Sequence, residues 1–402
     1  MKEAFIVDAV RTPIGSLGGS LALVRTDDLG ALVISELIKR NPNLVTEEIE
    51  DVILGCANQA GEDNRNVARM CGLLAGLPWQ VGGETVNRLC SSGMASVINA
   101  SRAIKLGDGD VYIAGGVENM TRGPWVISKS SKPFGTDVEM HDSTFGWRFI
   151  NPKMAALYGV DGMGQTAENL VDLYKISRED QDKFAYWSQM KATTAQKNGR
   201  LAEEIVPVAI PQRKGDPILF SNDEFIKPST TLDVLAGLRP AFRKEGGTVT
   251  AGNASGLNDG AVAVLVASTD ALKKYNMKPI ARIVSSAIVG VEPRIMGIGP
   301  VYASEKALKR AGLTLNDMDI IEINEAFAAQ SLACTRKMGL ADNDPRINPN
   351  GGAIALGHPL GMTGARILQT AALELQKTNK KYALVTLCIG VGQGYATIIE
   401  RV

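Results

Sequence analysis

The sequence predicts an α/β protein made of two duplicated halves with a long excursion between them. Three observations predict it: the first 120 residues alternate strand-like and helix-like segments, the residues from 279 onward repeat that order, and the stretch 121–248 breaks it. Strands alternating with helices imply βαβ units and a mostly parallel sheet covered on both faces. A chain of 402 residues exceeds what one hydrophobic core serves, so two or three domains are expected. The predicted division is an N-terminal half (1–120 plus 249–270), an inserted loop subdomain (121–248) and a C-terminal half (271–402).

In the first half, AFIVDAV (4–10) is a strand and TDDLGALVISELIKR (26–40) an amphipathic helix, opened by Thr26 as N-cap and by acidic residues. DVILGCANQ (51–59) is the second strand and NVARMCGLLAG (66–76) a helix. ETVNRLC (84–90) leads into a turn, SVINASRAIKLGD (96–108) is a helix and VYIAGGVEN (111–119) a strand. In the middle, 125–151 has no clear period. The segments 166–175 and 177–199 then read as helices, the second capped by Ser177 and closed by Gly199. An excursion of this length with its own elements commonly carries ligand or interface contacts. AVAVLVAS (261–268) returns the chain to the first sheet.

The closing part answers the opening one element by element. PIARIVSSAIVG (279–290) matches AFIVDAV, and YASEKALKRAG (302–312) matches the first helix. MDIIEINEAFAAQ (318–330) matches EDVILGCANQA (50–60), the second strand. RINPNGG (346–352) with its helix matches TVNRLC with its helix, and YALVTLCIGVG (382–392) matches VYIAGGVEN. Repetition over so many elements is a duplicated half, not an array of short repeats. Cys90 and His358 then occupy equivalent turns, and a pseudo-two-fold would bring them together where loops at the carboxyl ends of strands collect ligands.

Composition excludes several function classes. Lys plus Arg and Asp plus Glu both number 43, so no global field points to nucleic acid or a membrane surface. The opening MKEAFIVDAVRTP lacks the apolar core and cleavage site of a signal peptide, and no apolar run approaches bilayer length. Five widely spaced cysteines argue for a reducing compartment, with the cytoplasm as the expected location. With no CxxC and no HxxxH, no metal site is expected.

What remains is a set of reactive side chains at turns. His358, one of two histidines, lies on the glycine-lined loop of NPNGGAIALGHPLGMTGAR (348–366), just before a helix. A hydrogen-bonded structural histidine would look the same. Cys90 precedes a helix, where unpaired N–H groups and the helix dipole favour thiolate. Cys388 ends an apolar strand that runs into a glycine-rich turn. Two cysteines and a histidine, each at a turn, form the pattern of a covalent acyl-transfer site. Cys56, Cys71 and Cys334 sit in apolar surroundings and read as buried filler.

Four blocks, NRLCSSGMAS (87–96), NEAF (324–327), NPNGGAIALGHPLGMTGAR and CIGVGQG (388–394), resemble the signature motifs of the thiolase family. AGNASGLNDGA (251–261) and GMGQTAENL (162–170) fit as well, in the family's order and over the whole chain. The resemblance implies a thiolase-like fold with a layered αβαβα arrangement, and an acyltransferase active on coenzyme A thioesters. It implies no tightly bound cofactor, coenzyme A as substrate, and a homodimer or homotetramer. It makes Cys90 the acylated nucleophile, His358 its proton acceptor and Cys388 a second acid/base. Asn324 would help bind the thioester oxygen through a water, and backbone N–H groups of Cys90 and Gly390 would form a second oxyanion site. Ser255 and Ala251 would line the pantetheine channel, with Met163 and Phe327 near the acyl group and Lys227 contacting adenine or phosphate.

Two departures narrow the resemblance. Val391 stands inside the usual glycine triplet, where a left-handed backbone would strain it. Gly162 stands where biosynthetic acetoacetyl thiolases often carry histidine. With GCANQAGEDNRNVARM (55–70) and GWRFINPKM (146–154), these features look most like the 3-oxoadipyl-CoA thiolases of aromatic-compound degradation. The alternatives are a general acetyl-CoA acetyltransferase, a condensing ketosynthase (which His141 does not fit) and a non-catalytic acyl-CoA-binding protein. A 3-oxoadipyl chain ends in a carboxylate, which calls for a cation. Arg148 and then Arg65 are the candidates, unless they pair with Asp142 or Glu62.

Overall fold

The computed structural model describes residues 2–402. Its main sheet joins both halves at one seam, where Ala4–Arg11 pairs antiparallel with Ala281–Gly290 through Phe5–Arg282 and Ile6–Ala281. Outward from the seam the two sides carry the same series. On one side come Asn258–Ser268, Val111–Asn119, Asp51–Gly55 and Glu84–Val86; on the other come Gln393–Arg401, Tyr382–Ile389 and Ile320–Ile323, which bridges to Ile347. This is the duplication read from the pattern of segments, now visible as strand order.

The sheet is mixed, which corrects the expectation of a mostly parallel one. Only the outer pairs of each half are parallel; the inner pairs are antiparallel. The cause is the last strand of each half, which inserts between the first strand and the strand that precedes it in sequence. In the C-terminal half it does so through a tight hairpin at Gly390–Val391–Gly392, a connection open only to antiparallel neighbours.

Helices form three layers around the two sides of the sheet. Thr26–Arg40 and Val67–Leu74 cover the outer face of the N-terminal side, and Gly299–Ala311 covers that of the C-terminal side. Ser92–Leu106 and Leu360–Thr378 pack on each other between the two sides of the sheet, in a core that draws residues from both halves. Their backbones touch: a Cβ on Gly93 would meet Gly361 O at 2.5 Å, and one on Gly364 would meet Met94 N at 2.5 Å. Glycine at these two crossings brings the two helix starts, and the turns ahead of them, side by side.

The segment 121–248 carries the hairpin Trp125–Ile127/Met140–Asp142, the helices Met163–Tyr174 and Arg178–Lys197, and a second hairpin. Ser177 caps the second helix as expected, accepting from Asp180 N at 3.0 Å, and Gly199 beyond it has φ 80°. Thr26 is the first helical residue and not the cap. Arg25 holds the cap position without a capping side-chain bond, and Thr26 N donates to Glu62 instead. All five cysteines are free thiols, and no helix among the described residues is long and apolar enough to cross a membrane.

Candidate active site

Cys90 lies in the 3-10 turn Leu89–Ser91, two residues before the Ser92–Leu106 helix. His358 stands two residues before the Leu360–Thr378 helix, between Gly357 (φ 103°) and Pro359. Its backbone N–H donates to Asn258 Oδ1 at 3.0 Å. Cys388 is the next-to-last residue of Tyr382–Ile389, and Asn324 follows Ile320–Ile323 directly. The two middle helices and the two C-terminal strands therefore aim at one place.

The hydrogen bonds define the state of His358. The Thr363 hydroxyl donates to Pro359 O at 2.8 Å, so it accepts from His358 Nδ1–H at 2.7 Å. Nε2 is then the unprotonated nitrogen, 3.3 Å from Asn324 Nδ2, which donates to it. Asn324 Oδ1 is buried with no partner among the described residues. Burial, reinforced by the nearby Arg366 guanidinium, pushes the imidazole pKa down to about 3. At neutral pH His358 is an uncharged base.

The backbone N–H groups of Gly390 and of Cys90 itself, the two donors expected to serve an oxyanion, both act on the Cys90 thiol in the direction of thiolate. Burial nevertheless outweighs them and pushes the thiol up to about 11. The N–H groups at the turn act toward thiolate, as the sequence leads one to expect, and the loss of water outweighs them. Cys388 is also raised well above the usual thiol range, first by burial and then by the proximity of Cys90. All three reactive groups rest neutral.

Two cavities meet at Cys90. One, with an empty volume of about 770 Å³, is lined by Cys90, His358, Cys388, Ser255, Phe327 and Met163, together with Phe242, Met120, Met296 and Leu257. The other, about 850 Å³, runs from Cys90 and Gly390 past Phe145, Trp147 and Met163 to Arg148 and Val391. Phe145, Met163 and Leu360 border both. Glu118 faces the second cavity, its carboxylate held by the N–H groups of Ala57, Asn58 and Gly361; burial pushes its pKa up to about 7.

Most expected positions converge, and some do not. Ala251 and Lys227 are exposed and border neither cavity; Lys227 Nζ rests 5.2 Å from the Phe225 ring centroid. Arg65 is exposed and away from both cavities as well. The ion pairs considered for the two arginines are not formed: Glu62 pairs with Arg25 and Arg122, and Asp142 accepts from Thr144 N. His141 sits on the hairpin against Phe149, outside the site. Sequence reasoning passed over Thr363, Glu118, Phe145 and Phe242. Thr363 was recoverable from its place in the histidine motif, whereas the aromatic linings lie in aperiodic stretches with no signal.

Comparison with known proteins agrees with this geometry. The family model for the thiolase N-terminal domain matches residues 4–270, and that for the thiolase C-terminal domain matches 277–401. The chain is 59% identical over 402 residues, all of both chains, to a β-ketoadipyl-CoA thiolase of Acinetobacter baylyi. It is 58% identical over the same full span to the 3-oxoadipyl-CoA/3-oxo-5,6-dehydrosuberyl-CoA thiolase of Escherichia coli K12. A crystal structure of the Bacillus anthracis acetyl-CoA acetyltransferase superposes with a TM-score of 0.92 at 40% identity, covering 100% of this chain and 99% of that one. With both domain models matched and full-length relatives well above half identical, the chain belongs to the thiolase family and is an acyltransferase.

Proposed function

We propose that this thiolase cleaves 3-oxoadipyl-CoA with coenzyme A, yielding succinyl-CoA and acetyl-CoA, and that Cys90 carries the succinyl group between the two half-reactions. The observation that carries the substrate is the cavity running from Cys90 to Arg148. Among the described residues Arg148 makes no ion pair, only a 3.5 Å contact from Nη1 to Ser143 O, so its guanidinium remains available to a terminal carboxylate. The names of the full-length relatives support the same reading.

The neutral resting site suits the chemistry. Cys90 attacks the 3-oxo carbon as its proton passes to His358 Nε2, and Asn324 holds that nitrogen in place. The carbon–carbon bond then breaks, and its electron pair takes the proton of Cys388, which burial has kept on the sulfur. Acetyl-CoA leaves. Incoming coenzyme A gives its thiol proton to the Cys388 thiolate and attacks the acyl-enzyme, and Cys90 departs and recovers its proton from His358. The N–H groups of Cys90 and Gly390 receive the oxyanion in one of the tetrahedral species. On the other side of the carbonyl, His358 and Asn324, whose free Oδ1 can hold a bridging water, serve the thioester oxygen.

The test is a substrate panel. Wild-type enzyme should favour 3-oxoadipyl-CoA over acetoacetyl-CoA, and Arg148→Ala should lower kcat/KM for the former alone, by about 1.5–3 kcal/mol for a charge-assisted hydrogen bond. Equal losses on both substrates would make Arg148 structural. A wild-type preference for acetoacetyl-CoA would overturn the substrate and favour a general acetyl-CoA acetyltransferase.

A further inference from the structure

Val391 follows Gly390 with φ 62°, the one β-branched residue with positive φ among those described. Such a conformation is strained for valine and relaxed for glycine, and glycines flank it on both sides. Strain retained at a site wall calls for a gain from the side chain. Val391 borders the acyl cavity that begins at Cys90, and also a small crevice beyond it, with an empty volume of about 230 Å³, that holds Pro293 and the Arg294–Asp161 ion pair. Among the described residues only Trp147, Met163 and Val391 border both spaces. Met163 is fixed at the start of a helix, and Trp147 is tethered through Nε1–H to Asp161 O at 3.4 Å. Val391, 39% exposed, is the branched side chain among the three.

We propose that Val391 is a specificity-determining residue: its isopropyl group closes the acyl cavity against the neighbouring crevice and so sets the length of acyl chain that Cys90 accepts. This rests on the acyl chain occupying the cavity between Cys90 and Arg148, and it deepens that reading by naming the wall that ends it.

The experiment compares wild type, Val391→Ala and Val391→Gly on two series of 3-oxoacyl-CoA thioesters of increasing length, one ending in a carboxylate and one in a methyl group. In Val391→Gly the kcat/KM ratio of long to short members should rise about tenfold or more in both series, the scale on which an apolar pocket discriminates one methylene. Val391→Ala should fall between. The melting temperature of Val391→Gly should hold or rise, because the strained conformation is relieved. An unchanged length profile in both variants, or equal losses on every chain length, would overturn the proposal and leave Val391 as support for the Gly390 amide. The methyl-ended series keeps this outcome separate from a failure of the carboxylate reading, which shows only in the wild-type preference between the two series.

Discussion

The two halves place side chains at matching positions and use them differently. Gly55 pairs with Gly116 on one side of the sheet and Ile323 with Thr386 on the other, both at strand ends. One residue beyond stand Cys56 and Asn324; two beyond stand Glu118 and Cys388, each paired with a glycine, Gly260 and Gly394. Two residues before the middle helices stand Cys90 and His358. On the proposed mechanism His358 and Cys388 of the C-terminal half move protons, and Asn324 bonds to His358 Nε2. In the N-terminal half Cys56 donates to Asn58 O, and Glu118 is bound by three backbone N–H groups, one of them Gly361 at the start of the other half's helix. On the same proposal Cys90 is what this half brings to the chemistry. On that proposal one of the two equivalent triplets serves proton transfer, while in the other Glu118 links the halves through Ala57, Asn58 and Gly361 beside the nucleophile.

Matched variants at the equivalent positions Cys388 and Glu118 would break this comparison most severely. Cys388→Ala should lower carbon–carbon cleavage about 10²–10⁴-fold, as expected for a lost general acid, with little change in melting temperature. Glu118→Ala should do the reverse and lower the melting temperature by several degrees, because three N–H groups lose their acceptor. Thermal melts beside cleavage assays read both. Near-normal cleavage by Cys388→Ala would make it a packing residue and erase the distinction.

A smaller effect sharpens the electrostatic side. With Cys90 pushed up to about 11, its thiolate fraction grows about tenfold per pH unit below that value. The rate of alkylation by iodoacetamide should therefore climb through pH 7–9 without a plateau. A plateau below pH 7 would mean a preformed thiolate–imidazolium pair and would contradict the neutral resting site.

Much of this was legible in the sequence because duplication leaves its mark in order as well as in residues. The recurrence of strand, helix and turn placed Cys90 and His358 in equivalent turns, and the glycines at 93, 361 and 364 bring the two helix starts into contact. Val391 was legible too, as a β-branched residue inside a glycine triplet. The antiparallel insertion of Asn258–Ser268 and Gln393–Arg401 was not legible, since an apolar run buried on both faces carries no sign of its direction. Nor was the ionisation of Cys90: a helix start is local and readable, whereas the burial that outweighs it is assembled from both halves. Phe145 and Trp147 reach the site from an aperiodic stretch whose path only the packed chain determines.

The central claim is that the N-terminal half alone supplies the covalent carrier. Peptide mass spectrometry after incubation with acetyl-CoA and acid quench tests it most directly. A single acetyl adduct on Cys90 is expected, lost in Cys90→Ala along with turnover and still formed in Cys388→Ala. An adduct on Cys388 with Cys90 unmodified would contradict it and exchange the roles of the two halves.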